Sequence, residues 1–305
     1  MDTVISILNS TLRLTTPIAY VTLGAVVLEK SGLNALSMEG VMLSGAFGAV
    51  LGSWATGSAW FGVLAAMGCA ILVSLLRSYL AIAHQANQTV SGVGLNILAG
   101  GATAMLVKVI WGMDGRSDQV VALGDWTIPY VADIPVVGKL LGQQNPLVYL
   151  LVPIALWMIL LLNKTAFGLR VAAAGEHPEV LSSLGLRVSR YRYLSTILSG
   201  ALSGLGGAYL SIGQLSFFNQ DMTSGRGFMA LAACVFGGWR VGGALAGSLL
   251  FGFANALQLR LQTTVRYTQF VQMIPYVVTL VVLSGFIKRA NAAPAAGGKP
   301  YQEQE

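Results

Sequence analysis

The chain has 305 residues, of which 55% are hydrophobic and only 10% are charged. Soluble domains carry roughly 25% charged residues, so this composition excludes a soluble enzyme and indicates an integral membrane protein. The formal net charge of +6 is then explained by basic loops on one side of a membrane, without a nucleic-acid-binding surface. Cys69 and Cys234 lie in apolar runs, which favours two small buried side chains over a disulfide or a metal pair.

About nine apolar runs approach the length of about 20 residues that a helix needs to cross a hydrocarbon core. We therefore predict an all-α fold, a polytopic transmembrane helix bundle of about 8–10 spans with broken or half helices. The run 227–239 is short and has glycine-rich neighbours, which predicts a half-helix or a broken span buried by other helices. The predicted runs are Leu12–Leu28, Glu39–Ala55, Ala59–Ala83, Val90–Trp111, Pro146–Leu162, Leu194–Gln214, Gly227–Trp239, Val241–Leu259 and Phe270–Ile287.

Two segments between these runs determine the predicted orientation. Segment 113–145 contains only Arg116 and Lys139 as basic residues, whereas Lys288 and Arg289 follow the last run. Because cytoplasmic loops are enriched in lysine and arginine, we place the C-terminus inside the cell and 113–145 outside. Segment 164–192 is placed in the cytoplasm for the same reason, since it contains Lys164, Arg170, Arg187, Arg190 and Arg192.

This assignment has a consequence at each end of the chain. Nine spans put the N-terminus outside, but Arg260 and Arg266 would then lie in an external loop, which argues against that count. We predict one transmembrane domain over 1–290. The tail 291–305, NAAPAAGGKPYQEQE, is rich in small and polar residues, which predicts disorder.

The external segment 113–145 combines β-branched and aromatic residues with turn-forming residues. Gly124, Pro129 and Pro135 divide it, which predicts a small hairpin or a cap. A structural cap over the mouth of the bundle and a docking surface for a soluble partner are both compatible with this pattern.

A short helix is predicted inside the cytoplasmic segment 164–192. Pro178 suits a first helical position, Gly185 suits the positive φ just after a helix, and Glu179 suits the positive end of the dipole. Leu181 and Leu184 are three residues apart and predict one small apolar face. A helix of about two turns is unstable alone in water, so we expect the membrane domain or a partner to hold it.

Pairs of glycines spaced four residues apart predict close contacts between helices, because small residues let helix backbones approach in lipid. The pairs are Gly48/Gly52, Gly200/Gly204, Gly238/Gly242 and Gly243/Gly247.

The sequence contains no phosphate-binding G-x-x-x-x-G-K-[ST] motif, no H-E-x-x-H motif and no nucleophile elbow. We therefore predict no catalytic role, no metal site and no ATP site in this chain. Glu39, Arg77, Lys108 and Arg226 lie near predicted span ends, which favours side chains that extend to the membrane interface. The scarcity of acidic and histidine residues within the spans argues against an ion-driven transporter.

Three neutral amides, Asn96, Asn255 and Gln258, lie inside predicted spans. Such side chains either hydrogen-bond a neighbouring helix or line a water-filled path for a polar solute. Phe217 and Phe218 lie near the predicted external mouth. With no buried charge expected beside them, these residues suit a nucleoside, followed by riboflavin or a simple sugar. They suit a phosphate ester or a metal ion poorly.

Five stretches of the chain carry a family resemblance: LSMEGVMLSGAFGAV (36–50), SGVGLNILAGG (91–101), GLRVAAAGEHPEVLSSLG (168–185), the glycine-rich span SGALSGLGGAYLS (199–211) and GRGFMALAACVFGGWRVGGALAGSLLFGFANALQ (225–258). They resemble the membrane permease subunits of bacterial ABC importers for nucleosides and simple sugars, in particular the shorter permease of a pair. The resemblance covers most of residues 11–288 in order, and its most specific part is the G-[E]-x-P-E-x-x-x-x-x-G loop followed by LSGALSGLGGAYLS.

The resemblance implies an inner-membrane permease that works by alternating access, driven by ATP hydrolysis on a separate ABC ATPase that holds the ATP and Mg²⁺. It implies a second permease chain, identical or paralogous, and a solute-binding protein received at 113–145 and 217–222. It also implies that the short cytoplasmic helix is a coupling helix. The residues implied to contact the ATPase are Glu176, Pro178, Glu179, Leu181, Ser182, Leu184 and Gly185.

Two alternative hypotheses remain at this point. One is a self-sufficient secondary transporter or channel, and the other is a membrane scaffold without transport.

Overall fold

The structure is a computed structural model that describes residues 2–127, 142–262 and 293–299, with single positions 271, 273, 275, 277, 278 and 301. Helices dominate these residues, with one pair of short strands, β1 (Trp126–Thr127) and β2 (Gln143–Gln144). The helices are α1 (Asp2–Lys30), α2 (Met38–Thr56), α3 (Ala59–Ile82), α4 (Gln88–Trp111), α5 (Pro146–Lys164), α6 (Ala166–Glu176), α7 (Pro178–Ser183), α8 (Val188–Ala208), α9 (Arg226–Phe236) and α10 (Val241–Gln262).

The predicted helix bundle is confirmed. Five of the described helices, α1, α3, α4, α5 and α10, are long and apolar enough to cross a membrane. Helices α2 and α8 have 19 and 21 residues and bury most of their side chains among the others. The last predicted run, 270–287, lies outside the described residues except at single positions.

One predicted boundary near the middle of the chain is wrong. Helix α8 begins at Val188 instead of Leu194 and continues as a π-helical segment, Tyr209–Leu215. Segment 164–192 is therefore not a loop, because it contains α6, α7 and the first turn of α8. Arg192, which was expected in that loop, is 2% exposed and donates from Nε to the Ser31 carbonyl at 3.2 Å.

Glycines bring α8, α3 and α2 into close contact. A Cβ added at Gly204 would lie 2.8 Å from the Met67 Cα, and one at Gly48 would lie 2.8 Å from the Cys69 Cβ. The backbones can approach this closely because these positions carry no side chain. This confirms the packing role predicted for the pairs that contain Gly204 and Gly48.

The two later glycine pairs behave differently. Gly243 and Gly247 pack against Gly237 and Ala233, which joins α10 to α9. Gly238 instead lies in the turn after α9 with φ +61°, and a Cβ added at Gly242 would meet no described atom within 4 Å. The predicted packing face of Gly238/Gly242 is therefore wrong.

The first part of segment 113–145 is held against the chain between α8 and α9. Residues 115–123 run antiparallel to 212–220, with backbone hydrogen bonds such as that from the Ser117 N–H to the Phe218 carbonyl at 3.0 Å. Ser53 at the end of α2 donates to the Val121 carbonyl at 2.7 Å. Further along, β1 pairs antiparallel with β2. These contacts fit a structural cap, while 128–141, with Pro129 and Pro135, lies outside the described residues.

The described part of the C-terminal tail, 293–299 and Tyr301, differs from the predicted disorder. Residues 293–299 form a turn, and the N–H groups of Ala296 and Gly298 donate to the carbonyls of Gly175 and Gly32 at 2.9 and 3.1 Å. Tyr301 packs against the small apolar cluster that surrounds Leu181. Small residues at these positions allow the tail backbone to lie directly on the turn after α1 and on α6.

Candidate functional site

The chain between the π-helical segment and α9 is irregular and reaches the interior of the bundle. Ser216, Asp221, Ser224 and Gly225 all have positive φ values. A Cβ added at Gly100 would lie 3.8 Å from the Asp221 carboxylate, and Gly100 is about 18 Å along α4 from its start. Non-helical backbone at this depth occurs only where protein buries it or where it lines a cavity.

Helix α9 starts at this point and is the half-helix that the short run 227–239 predicted. Its 11 residues extend about 16 Å, too short to cross a membrane. At its far end, Trp239 donates from Nε1 to Glu29 at 3.4 Å, in the last turn of α1. The helix therefore runs from the middle of the bundle to the end of α1.

Glu39, from the first turn of α2, caps the start of α9. Its Oε1 accepts from the Gly225 N–H at 2.8 Å, and its Oε2 accepts from the Gly227 N–H at 2.7 Å. A carboxylate stabilises a helix N-terminus by satisfying free N–H groups and by its charge. The expectation that Glu39 extends to the membrane interface is therefore wrong.

Arg226 also stays inside the protein. Its Nη1 donates to the carbonyls of Met222 and Thr223 at 2.9 and 3.3 Å, and the Glu39 carboxylate interacts with it electrostatically. The side chain lines a cavity of about 470 Å³, within the usual range of ligand sites. We call this space the half-helix cavity; its other lining residues include Leu14, Ser224, Met229, Asn255, Gln258 and Leu259.

The structure brings two of the predicted path residues together in this cavity. Asn255 and Gln258 lie on one face of α10, and the Asn255 Nδ2 is 3.8 Å from the Met229 sulfur. The expectation that no charge lies beside these amides is wrong, because Arg226 lines the same cavity. The position of Arg226 in the sequence indicates only the end of a span, so its presence in the cavity could not be predicted.

Asn96 lies elsewhere and joins two helices. Its Oδ1 accepts from the Gly40 N–H and its Nδ2 donates to the Leu36 carbonyl, both at 2.8 Å. These bonds correspond to the helix-bridging alternative considered for the amides. Solute contact at Asn96 stays a prediction.

The two predicted aromatic path residues lie in the segment before α9. Phe218 is fully buried, with its ring 5.6 Å from that of Phe47 in an edge-to-face contact. Phe217 is half-buried, and the Arg116 guanidinium lies 4.0 Å above its ring. A solute could touch Phe218 only after this segment moved.

A second cavity, of about 360 Å³, adjoins the first, since Leu14 and Leu259 line both. Arg13 in α1 forms an ion pair with Asp125 at 3.3 Å and donates to Gln144 at 3.2 Å. The Gln214 side chain donates to the Arg13 carbonyl at 3.2 Å. Segment 113–145 thus meets α1 and the π-helical segment at this cavity, in a polar cluster that the sequence did not indicate.

Two basic residues predicted near the interface have different outcomes. Lys108 is exposed and pairs with Asp114 at 2.9 Å, in agreement with the prediction. Arg77 is 1% exposed, so its predicted extension to the interface is wrong. The Glu29 carboxylate interacts electrostatically with Arg77. The three side-chain nitrogens of Arg77 have no hydrogen-bond partner within the described residues.

The predicted cytoplasmic helix is α7, and its ends match the prediction. Pro178 is its first residue. Gly185 has φ +73°, and the N–H groups of Gly185 and Leu186 donate to the carbonyls of Ser182 and Leu181 at 2.9 and 3.2 Å. This is the Schellman arrangement for ending a helix.

The side chains of α7 do not form the single apolar face that was predicted. Leu181 is 2% exposed and packs against α6 and α8, whereas Leu184 is 71% exposed. Val180 is 56% exposed and was missed by the sequence analysis. Among the residues implied to contact an ATPase, Glu179, Leu184 and Gly185 are exposed, Pro178 and Ser182 are half-buried, and Glu176 accepts from the Ala295 N–H at 3.2 Å.

Comparison with known proteins identifies similar chains. The chain is 37% identical to the guanosine ABC transporter permease NupQ of Bacillus subtilis, over 97% of this chain and 96% of that protein. It is 32% identical to the nucleoside ABC transporter permease NupC of Lactococcus lactis, over 99% and 98%. A solved metal-chelate-type ABC transporter in an inward-facing conformation covers 90% of this chain and 84% of its own, with a TM-score of 0.50 at 16% identity.

The structural similarity supports the fold alone, whereas the sequence similarity over nearly the full length supports the function. These relatives argue against a self-sufficient transporter and against a scaffold. The family described as the permease component of branched-chain amino acid transport systems matches residues 7–283. The chain therefore belongs to this permease family and is a multi-pass membrane subunit of an ABC importer, a transport component rather than an enzyme.

Proposed function

We propose that this permease passes a nucleoside and that the half-helix cavity is part of its path. The observation that carries the proposal is the lining of this cavity, where Arg226, Asn255 and Gln258 offer hydrogen bonds beside the apolar surface of Leu14, Met229 and Leu259. Ligand sites of this kind combine apolar walls with a few placed polar groups. The two relatives named for guanosine and nucleoside transport support the same solute class.

We further propose the assembly around this subunit. An ABC ATPase with its ATP and Mg²⁺ contacts the exposed side of α7, where Glu179, Val180 and Leu184 face outward. A second permease, identical or paralogous, completes the path in the bacterial cytoplasmic membrane, and an extracytoplasmic binding protein delivers the solute to the external segment 113–145. The N-terminus lies outside and the C-terminus lies in the cytoplasm.

Uptake of labelled nucleosides by cells that express the complete system tests the solute class. Asn255→Leu combined with Gln258→Leu should lower uptake because it removes two hydrogen-bonding groups from the cavity. Phe253→Leu is the matched control, since Phe253 is 45% exposed on the same helix and should leave uptake unchanged. Wild-type uptake of a sugar or riboflavin without any nucleoside would refute the proposed solute.

Thiol labelling of intact cells tests the orientation. In a background with Cys69→Ala and Cys234→Ala, Gly124→Cys should react with an impermeant reagent added outside, and Ser183→Cys should react only after the cells are opened. Both positions are exposed, so accessibility depends on the side of the membrane. The reverse pattern would invert the topology and remove α7 from the cytoplasm.

A further inference from the structure

We infer that Arg226 selects the nucleobase and that the half-helix cavity favours nucleosides of 6-oxopurines, such as guanosine and inosine. The inference rests on the proposed nucleoside path and narrows it. It assigns a specificity role to a residue whose position in the sequence indicated only a span end.

One edge of the Arg226 guanidinium is held by protein carbonyls, and the other edge is available to hydrogen-bond a solute. Its Nη1 is held by the Met222 and Thr223 carbonyls. On the other edge of the guanidinium, Nε and Nη2 make no hydrogen bond within the described residues. Neither atom is fully buried. Two parallel N–H donors are therefore accessible on a side chain whose orientation is already set, which reduces the entropy lost on binding.

Two parallel donors match two parallel acceptors. A 6-oxopurine presents O6 and N7 side by side, and a bidentate arginine contact to this pair is a common means of recognising guanine. Adenine presents an N6 amino donor in place of O6, so a guanidinium meets a donor there. Pyrimidines have no second acceptor equivalent to N7 on this edge. The two parallel donors of Arg226, Nε and Nη2, form a fork that therefore discriminates among nucleobases by their pattern of hydrogen-bond donors and acceptors.

An arginine fork also matches carboxylates and phosphates, and the Glu39 carboxylate disfavours such anions here. Glu39 interacts electrostatically with Arg226 and also binds the first N–H groups of α9. Its charge offsets both the guanidinium and the positive end of the helix dipole. The site keeps its donors while its net positive charge is reduced, which suits a neutral acceptor.

The remaining lining of the cavity fits the rest of a purine nucleoside. The Met229 thioether and the side chains of Leu14 and Leu259 offer apolar contact for a flat base, and sulfur packs favourably against aromatic rings. Asn255 and Gln258 each carry a donor and an acceptor that can pair with ribose hydroxyls.

The test compares nucleoside uptake by wild type, Arg226→Gln and Arg226→Lys in cells expressing the complete system. The binding protein is the same in every strain, so a change in the ratio between nucleosides reports on the permease. Both variants should lower guanosine and inosine uptake about tenfold or more, with much smaller changes for uridine and adenosine. Arg226→Lys is informative because it retains the charge and removes the fork.

Arg260→Gln, an exposed arginine two residues beyond Gln258, serves as the control and should leave the ratios unchanged. Permease abundance in the membrane is measured for each variant. Equal loss of all nucleosides at normal abundance, or unchanged ratios in both variants, would overturn the role of Arg226 while leaving the nucleoside path intact. A wild type that carries no nucleoside would refute the proposed function and this inference together.

Discussion

Helices α7 and α9 are both too short to span a membrane, yet their ends are determined in different ways. The ends of α7 depend on neighbours in sequence, with Pro178 at its start and the positive φ of Gly185 just after its end. The start of α9 depends on Glu39, whose partner N–H groups lie 186 and 188 residues away. Proline and glycine at helix ends can be recognised in a single sequence. A cap from a residue far away in the chain can be recognised only once the fold is known.

The difference matches the surroundings of the two helices. Helix α7 lies at the surface, where water can satisfy the free N–H and carbonyl groups of a helix end. Helix α9 begins inside the bundle, where an unsatisfied backbone N–H is costly. The Glu39 carboxylate satisfies two of these N–H groups, those of Gly225 and Gly227, and places a negative charge close to Arg226.

The largest effect is expected from removing the remote cap. Glu39→Ala eliminates two charge-assisted hydrogen bonds and leaves buried donors unpaired, which should destabilise the protein by about 3 kcal/mol or more. Glu179→Ala is the matched control, because Glu179 lies exposed in the first turn of α7 and should change stability by less than about 0.5 kcal/mol. Thermal unfolding of the purified protein in detergent measures both, and similar losses would contradict the comparison.

A smaller effect is expected at the local stop of α7. Gly185 has φ +73°, and a Cβ added there would meet no described atom within 4 Å, so Gly185→Val should cost about 1–3 kcal/mol through backbone strain alone. The variant should reach the membrane but fail to stimulate ATP hydrolysis in the reconstituted importer. Gly101→Val is the control, since Gly101 also faces open space but lies within α4. Full stimulation of ATP hydrolysis by Gly185→Val would show that the end of α7 is not needed to couple the permease to the ATPase.

The same contrast explains which features could be predicted from sequence. The apolar runs predicted the helix bundle, because hydropathy is a local signal. Helix α3 (Ala59–Ile82) matches its predicted run to one residue. Proline and glycine likewise predicted both ends of α7. The burial of Arg226 and its place in the half-helix cavity could not be predicted, because both depend on α10 and on Glu39. Arg77 was misplaced for the same reason, since only tertiary contacts reveal its burial.

The smallest effect is expected from the tail, which tests whether α7 is determined by local signals alone. The Tyr301 hydroxyl is 3.5 Å from the Pro178 carbonyl, a weak hydrogen bond, and its ring packs in the cluster around Leu181. Tyr301→Ala should therefore remove apolar contact worth about 1 kcal/mol and raise the hydrogen-exchange rate of the α7 amides by about fivefold. Tyr301→Phe retains the ring and should leave the rates close to wild type. Unchanged exchange in Tyr301→Ala would show that α7 holds its position without the tail, whereas an equal increase in both variants would assign the effect to the hydroxyl.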